Sequence, residues 1–153
     1  MTMTAQTLLD SARSDDRPVI AMSEGNDPRI VAGALAARDA GIADIILVGD
    51  QAEVSAQLNA LGRTAADGVA IHDPSTSDLS TAFAEAFFEL RKHKGVDMER
   101  AEREVLNPLV YAAMLVRLGH AAGTVGGAVA ATPDIVRAAL QVIGKAKDAP
   151  LVS

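Results

Sequence analysis

The feature that most constrains this chain is a rhythm of short apolar runs separated by stretches that favour helix. Pro18-Val19-Ile20-Ala21-Met22, Ile45-Ile46-Leu47-Val48 and Val69-Ala70-Ile71 have centres about 25 residues apart. That spacing leaves room for one helix between successive strands, which is the repeat of a parallel sheet. The runs are continuously apolar rather than alternating, as expected of strands covered on both faces. The fold class predicted is α/β: a doubly wound, three-layer α/β/α sandwich with a mostly parallel sheet.

Local chemistry places the helices. Asp27 followed by Pro28 offers a side-chain acceptor at an N-cap and a residue that needs no amide hydrogen, so a helix is predicted from there to about Ala40, stopped by Gly41. Gly49-Asp50 ends the second strand, and a polar helix over about 51–61 runs to Gly62. From Asp78 the residues Leu79, Ala82, Phe83, Ala86, Phe87 and Leu90 follow the spacing of one buried helical stripe. Shorter helices are predicted over about 98–105 and, after Asn107-Pro108, over 108–118. A glycine-rich strand over 123–129 and a helix from Thr132-Pro133-Asp134 to about Ile143 follow. Leu151-Val152-Ser153 has the texture of a further strand.

Charge and composition exclude several functions. Fourteen Lys+Arg against twenty Asp+Glu give a net charge of -6, unlike the basic face of a nucleic-acid module, so no nucleic acid is expected as a partner. With no cysteine there is no disulfide framework, thiolate metal site or Cys nucleophile. No apolar run reaches the length of a membrane span, and the first residues lack a signal-peptide pattern. A cytoplasmic protein without membrane contact is expected. His93 and His120 stand apart from other ligating residues, so no metal is predicted.

Two stretches point to anion chemistry. Arg91-Lys92-His93-Lys94-Gly95 concentrates cations at a helix end. Such charges complement the helix dipole there, by about 0.3–1 kcal/mol, while Arg91 also has the planar fork that recognises phosphate or carboxylate. The second stretch runs from Gly126 to Arg137, where a glycine-rich strand end enters a helix N-terminus whose free amides favour anions. Arg137 lies one turn into that helix. Thr132 as a cap and Asp134 as a dipole partner account equally well for that start. No G-x-G-x-x-G or G-x-x-x-x-G-K-[ST] pattern is present. His72-Asp73 lacks a nucleophile at defined spacing and reads as a strand end. Tyr111 reads as a core residue with its hydroxyl at the edge. The Ser23-to-Arg29 loop reads chiefly as helix capping.

Ser23-Glu24-Gly25-Asn26-Asp27-Pro28-Arg29, Ala40 to Asp50, Glu89-Leu90-Arg91-Lys92-His93-Lys94-Gly95, Leu118-Gly119 with Gly123 and Gly126-Gly127-Ala128, and Arg137 with Leu140-Gln141-Val142-Ile143 carry a resemblance in order and spacing over nearly the whole chain. The chain resembles the N-terminal half of the phosphate acetyltransferases and phosphate butyryltransferases. The resemblance implies the first domain of a two-domain enzyme, with residues 1–149 forming that domain and 150–153 beginning the connection to a second. It implies transfer of an acetyl or short acyl group between coenzyme A and inorganic phosphate by direct attack of the thiolate on an acyl phosphate. Coenzyme A would be a substrate, with no covalent cofactor and no metal.

Arg91, Arg137 and Thr132 map onto the family's anion-binding positions. The thiol-activating general base would lie beyond Ser153, leaving this chain inactive alone, and family members commonly form homodimers. Ala130 and Ala131 stand where the family often has hydroxyls, and Ala122 where it commonly has Asp. That loss leaves open a non-catalytic domain that senses acetyl-CoA. Without the resemblance, the residues fit an α/β domain binding some phosphorylated small metabolite.

Overall fold

In the computed structural model, residues 17–65 and 68–126 are described, with Pro133, Arg137, Ala138, Gln141 and Val142. Four strands, β1 (Val19–Met22), β2 (Asp44–Val48), β3 (Val69–His72) and β4 (Gly123–Val125), alternate with helices. The helices are α1 (Pro28–Asp39), α2 (Gln51–Ala60), α3 (Ser80–Arg91), α4 (Met98–Glu104) and α5 (Pro108–Arg117), and a short 3₁₀ turn over Lys92–Lys94 follows α3. The strand order is β3-β2-β1-β4, and all three pairings are parallel.

The sheet separates two apolar clusters. Val31, Ala34 and Leu35 of α1 and Val54 and Leu58 of α2 meet Met22, Ile45, Leu47 and Val69 on one face. On the other, Ala21, Ile46 and Val48 meet Phe83 and Phe87 of α3, Ala101 of α4 and Val110–Leu115 of α5. Ile45 and Ile46 thus point to opposite sides, and both sides are dry. This is the predicted doubly wound, three-layer arrangement.

Capping residues start the helices as their chemistry dictates. Asp27 accepts the Arg29 amide at 2.8 Å, Asp50 that of Glu53 at 3.0 Å, and Asn107 that of Leu109 at 2.9 Å. Gly41, Gly62, Gly95 and Gly119 follow helix ends with positive φ, the left-handed conformation that suits glycine there.

Two expectations are corrected. α3 starts at Ser80 rather than Asp78, because the Ser77 hydroxyl takes the Leu79 amide in the preceding turn. In that helix Ala82 is exposed and Ala84 is buried. The buried face is centred on Phe83, Ala84 and Phe87, and the line from Phe87 leads four residues on to Arg91. Thr132, Gly127, Ala130 and Ala131, most of the last predicted helix and the strand-like Leu151–Ser153 lie outside the described residues.

Candidate substrate-binding site

The strand order reverses between β1 and β4, and a doubly wound sheet places a crevice at the carboxyl ends of such strands. Ser23 closes this one. Its amide donates to the Val125 carbonyl at 3.0 Å, and its hydroxyl donates to the same oxygen at 3.3 Å. A Cβ at Gly126 would collide with the Ser23 hydroxyl, so glycine there lets the two strand ends meet. Glu24 and Asp27 are buried beside it. The Arg29 guanidinium, forked on Asp27 at 2.9 and 3.2 Å, holds the Asp27 carboxyl below its usual range. The capping role read for this loop is what the geometry shows.

The two arginines singled out from the sequence line two neighbouring cavities. Arg91 lines a cavity of about 60 Å³ with Phe87, Lys94, Val96, Arg100, Glu104 and Gln141. Arg137 lines a larger one, about 270 Å³, with Glu104, Asn107, Leu109, Val110, Ala138 and Gln141. Glu104 and Gln141 line both, so the cavities share a wall. Arg137 and Gln141, one helical turn apart, turn the same face towards α4 and the first turn of α5. None of the crevice residues Ser23, Glu24, Val125 or Gly126 lines either cavity.

The local charge is positive in an acidic protein. Arg91, Lys94, Arg100 and Arg137 face these cavities against one carboxylate, Glu104, whose Oε1 lies 3.7 Å from Arg100 Nε. Lys92, next to Arg91 in sequence, points instead to Glu89 at 2.7 Å. The Arg91 side chain is half-buried and pairs with no carboxylate among the described residues. A cation held on a packed face with no carboxylate paired to it among the described residues attracts an anion from solvent. Cavity walls of low polarizability, here Phe87 and Val96, strengthen that attraction.

Sequence reasoning missed Glu104, Asn107 and Arg100 as neighbours. Only Gln141 carried a usable signal, its one-turn spacing from Arg137. His72 does not engage Asp73. Asp73 accepts from the Gln51 amide at 3.1 Å, and from the Ser75 amide at 2.9 Å and hydroxyl at 2.6 Å. Its carboxyl is held below the usual range by Ser75 first, against the opposing effect of burial. His72 Nδ1 lies 2.8 Å from the Tyr111 hydroxyl instead. No group of three or more metal-ligating side chains occurs among the described residues, nor does a helix long and apolar enough to cross a membrane.

The described residues thus form a parallel, doubly wound domain with two cation-lined cavities that share a wall. Its family follows from comparison: the family model described as "Phosphate acetyl/butaryl transferase" matches residues 3–153, and the chain belongs to that family. It is 40% identical over 144 residues to a phosphate acetyltransferase of Paracoccus denitrificans, covering 94% of this chain and 41% of the relative. It is 33% identical over 153 residues to that of Thermoanaerobacterium thermosaccharolyticum, covering 97% and 44%. Among solved structures, a phosphotransacetylase from Streptococcus pyogenes superposes with a TM-score of 0.82 at 33% identity, covering 92% of this chain and 43% of the other. The EutD phosphotransacetylase from Staphylococcus aureus also gives 0.82, at 30% identity and with 92% and 42% covered. The chain thus spans less than half the length of these relatives.

Proposed function

We propose that this chain is the N-terminal, anion-binding domain of a phosphate acetyltransferase, which moves an acetyl or short acyl group between coenzyme A and inorganic phosphate. Residues 1–149 form the domain, and 150–153 lead towards a second one. The observation that carries this reading is the shared wall between the Arg91 and Arg137 cavities. Each cavity presents a fork suited to phosphate oxygens, which supports the reading.

In the reaction, the coenzyme A thiolate attacks the acyl carbonyl carbon, the carbon–sulfur bond forms, and the carbon–oxygen bond to phosphate breaks. The task of Arg91 and Arg137 is to hold the phosphoryl group and neutralise the charge that grows on it as it leaves. Thr132 adds a hydroxyl to the same anion. The general base that takes the thiol proton comes from beyond Ser153, so the chain alone binds without turning over. Coenzyme A is a substrate here, neither a covalent cofactor nor a metal is required, and the assembled protein is a cytoplasmic homodimer.

The test is the Arg137→Ala variant of the complete protein that contains this chain, assayed with phosphate as the varied substrate. Loss of one charge-assisted contact of about 1.5–3 kcal/mol lowers kcat/KM for phosphate by about 10- to 100-fold. Arg91→Ala behaves alike, and Arg63→Ala, whose guanidinium pairs with Asp39 on the surface, leaves it unchanged. Unaltered phosphate-dependent turnover in Arg137→Ala overturns the assignment.

A further inference from the structure

Tyr111 is fully buried, yet its hydroxyl joins two other elements. It lies 2.8 Å from His72 Nδ1 at the end of β3 and 2.6 Å from Ser77 Oγ in the following turn. Ser77 Oγ in turn accepts the Leu79 amide at 3.1 Å. The three side chains form one unbranched relay from an edge strand to the middle of the apolar core. Tyr111 follows Val110 directly, and Val110, Leu109 and Asn107 line the Arg137 cavity. The relay therefore holds the helix turn that makes one wall of the anion site.

We propose that Ser77, Tyr111 and His72 form a proton-controlled latch that fixes the first turn of α5 against the sheet edge and so sets the shape of the Arg137 cavity. This rests on that cavity being an anion site. With His72 neutral and Nδ1 bare, Tyr111 donates to His72 and Ser77 donates to Tyr111. When a proton from solvent binds Nδ1, that nitrogen becomes a donor. Tyr111 must then accept from His72 and turn its own proton onto Ser77, and Ser77 must turn its proton away. Both hydroxyls have to rotate together, because a buried phenol has no water to replace a lost partner.

The surroundings hold the latch in its neutral direction. His72 shares an open groove of about 420 Å³ with Asp73 and Asp78 of the next turn. His120, from the segment between α5 and β4, lies on the side of Phe83. Burial first, and the charge of His120 second, keep the His72 imidazolium disfavoured, with its pKa below the ordinary value. Asp73 accepts from Gln51 and Ser75, and His72 Nδ1 faces Tyr111 instead.

The test combines histidine ring and backbone amide shifts of this chain, followed by NMR from about pH 8 to about pH 5.5, the range in which imidazoles titrate. His72 is expected to titrate below the ordinary imidazole value, and the amides of Asn107 to Tyr111 to follow the His72 midpoint. In Tyr111→Phe the imidazolium loses its charge-assisted acceptor. Its midpoint falls further and the amides of α5 stop following it, and Ser77→Ala uncouples them in the same way. Amides of α5 that ignore His72 in the wild type, or a His72 midpoint that stays or rises in Tyr111→Phe, overturn the latch.

Sulfate, which stays a dianion throughout, reads the link to the cavity. Its affinity is expected to change by a few-fold as His72 titrates in the wild type and to lose that step in Tyr111→Phe. The same pH dependence in both proteins overturns the coupling. An absence of sulfate binding alongside amides that do follow His72 counts against the anion site and leaves the latch standing.

Discussion

Gly25 has backbone, not side chains, standing where its Cβ would be. Its amide donates to the Val48 carbonyl at 3.0 Å, so the loop after β1 lies flush on the end of β2. A Cβ built there would sit 2.9 Å from both Val48 N and Val48 O, and 3.0 Å from Leu47 C. All three neighbours are backbone of a paired strand, so no side chain can swing aside. Gly25→Ala must push the loop off the sheet. It incurs overpacking strain of about 1–3 kcal/mol and the loss of a hydrogen bond worth about 0.5–1.5 kcal/mol.

The expected destabilisation is about 2–4 kcal/mol, or a fall in Tm of roughly 4–16 °C for a domain of this size. Gly33 supplies the opposite case. It lies exposed in the middle of α1 with nothing within 4 Å of a built Cβ. There the same substitution gains about 0.5–1 kcal/mol of helix propensity. Urea unfolding followed by far-UV circular dichroism measures both. A Gly25→Ala protein within about 0.5 kcal/mol of wild type, or a Gly33→Ala protein destabilised as much as Gly25→Ala, refutes the reasoning from backbone contact.

Two further predictions concern pH. Asp73→Asn removes the carboxylate that takes the Gln51 and Ser75 donors and costs about 1–2 kcal/mol at neutral pH. The Asp73 carboxyl is held below its ordinary 3.8, so its contribution is fully present above that value and is lost as pH falls through the folded one. The gap between wild type and Asp73→Asn in urea midpoint narrows accordingly. His72 has its folded pKa below the ordinary 6.5, so the unfolded chain binds the proton more readily. The His72 contribution declines as pH falls from about 6.5 towards the folded value, and His72→Gln flattens that slope in the same unfolding series.

Much of the fold was legible because its signals are local. Asp27-Pro28, Asp50 and Asn107-Pro108 start helices through side chains that reach amides two or three residues on, and the apolar runs mark strands covered on both faces. Where a start depended on a turn rather than a cap, the reading slipped. α3 begins with no side-chain cap of its own, and its buried face is set by what α4 and α5 press against it, which put Ala84 inside and Ala82 outside. The relay was beyond reach for the same reason. Tyr111 is 39 residues from His72 and 34 from Ser77, and no periodicity joins them.

The candidate site was legible as residue types but not as a place. Arg91 ends a helix, where a cation is explained by the dipole alone, and Lys92 and Lys94 beside it invite the same account. What separates them is direction. Lys92 turns to Glu89 at the surface, while Arg91 follows Phe87 by one turn onto the packed face and enters a cavity. A dipole partner would serve equally well pointing into solvent, so dipole compensation does not require this placement. Among the described residues no carboxylate pairs with that half-buried guanidinium, and such a charge favours the arrival of an anion. Arg137 lines the neighbouring cavity, which shares Glu104 and Gln141 with that of Arg91.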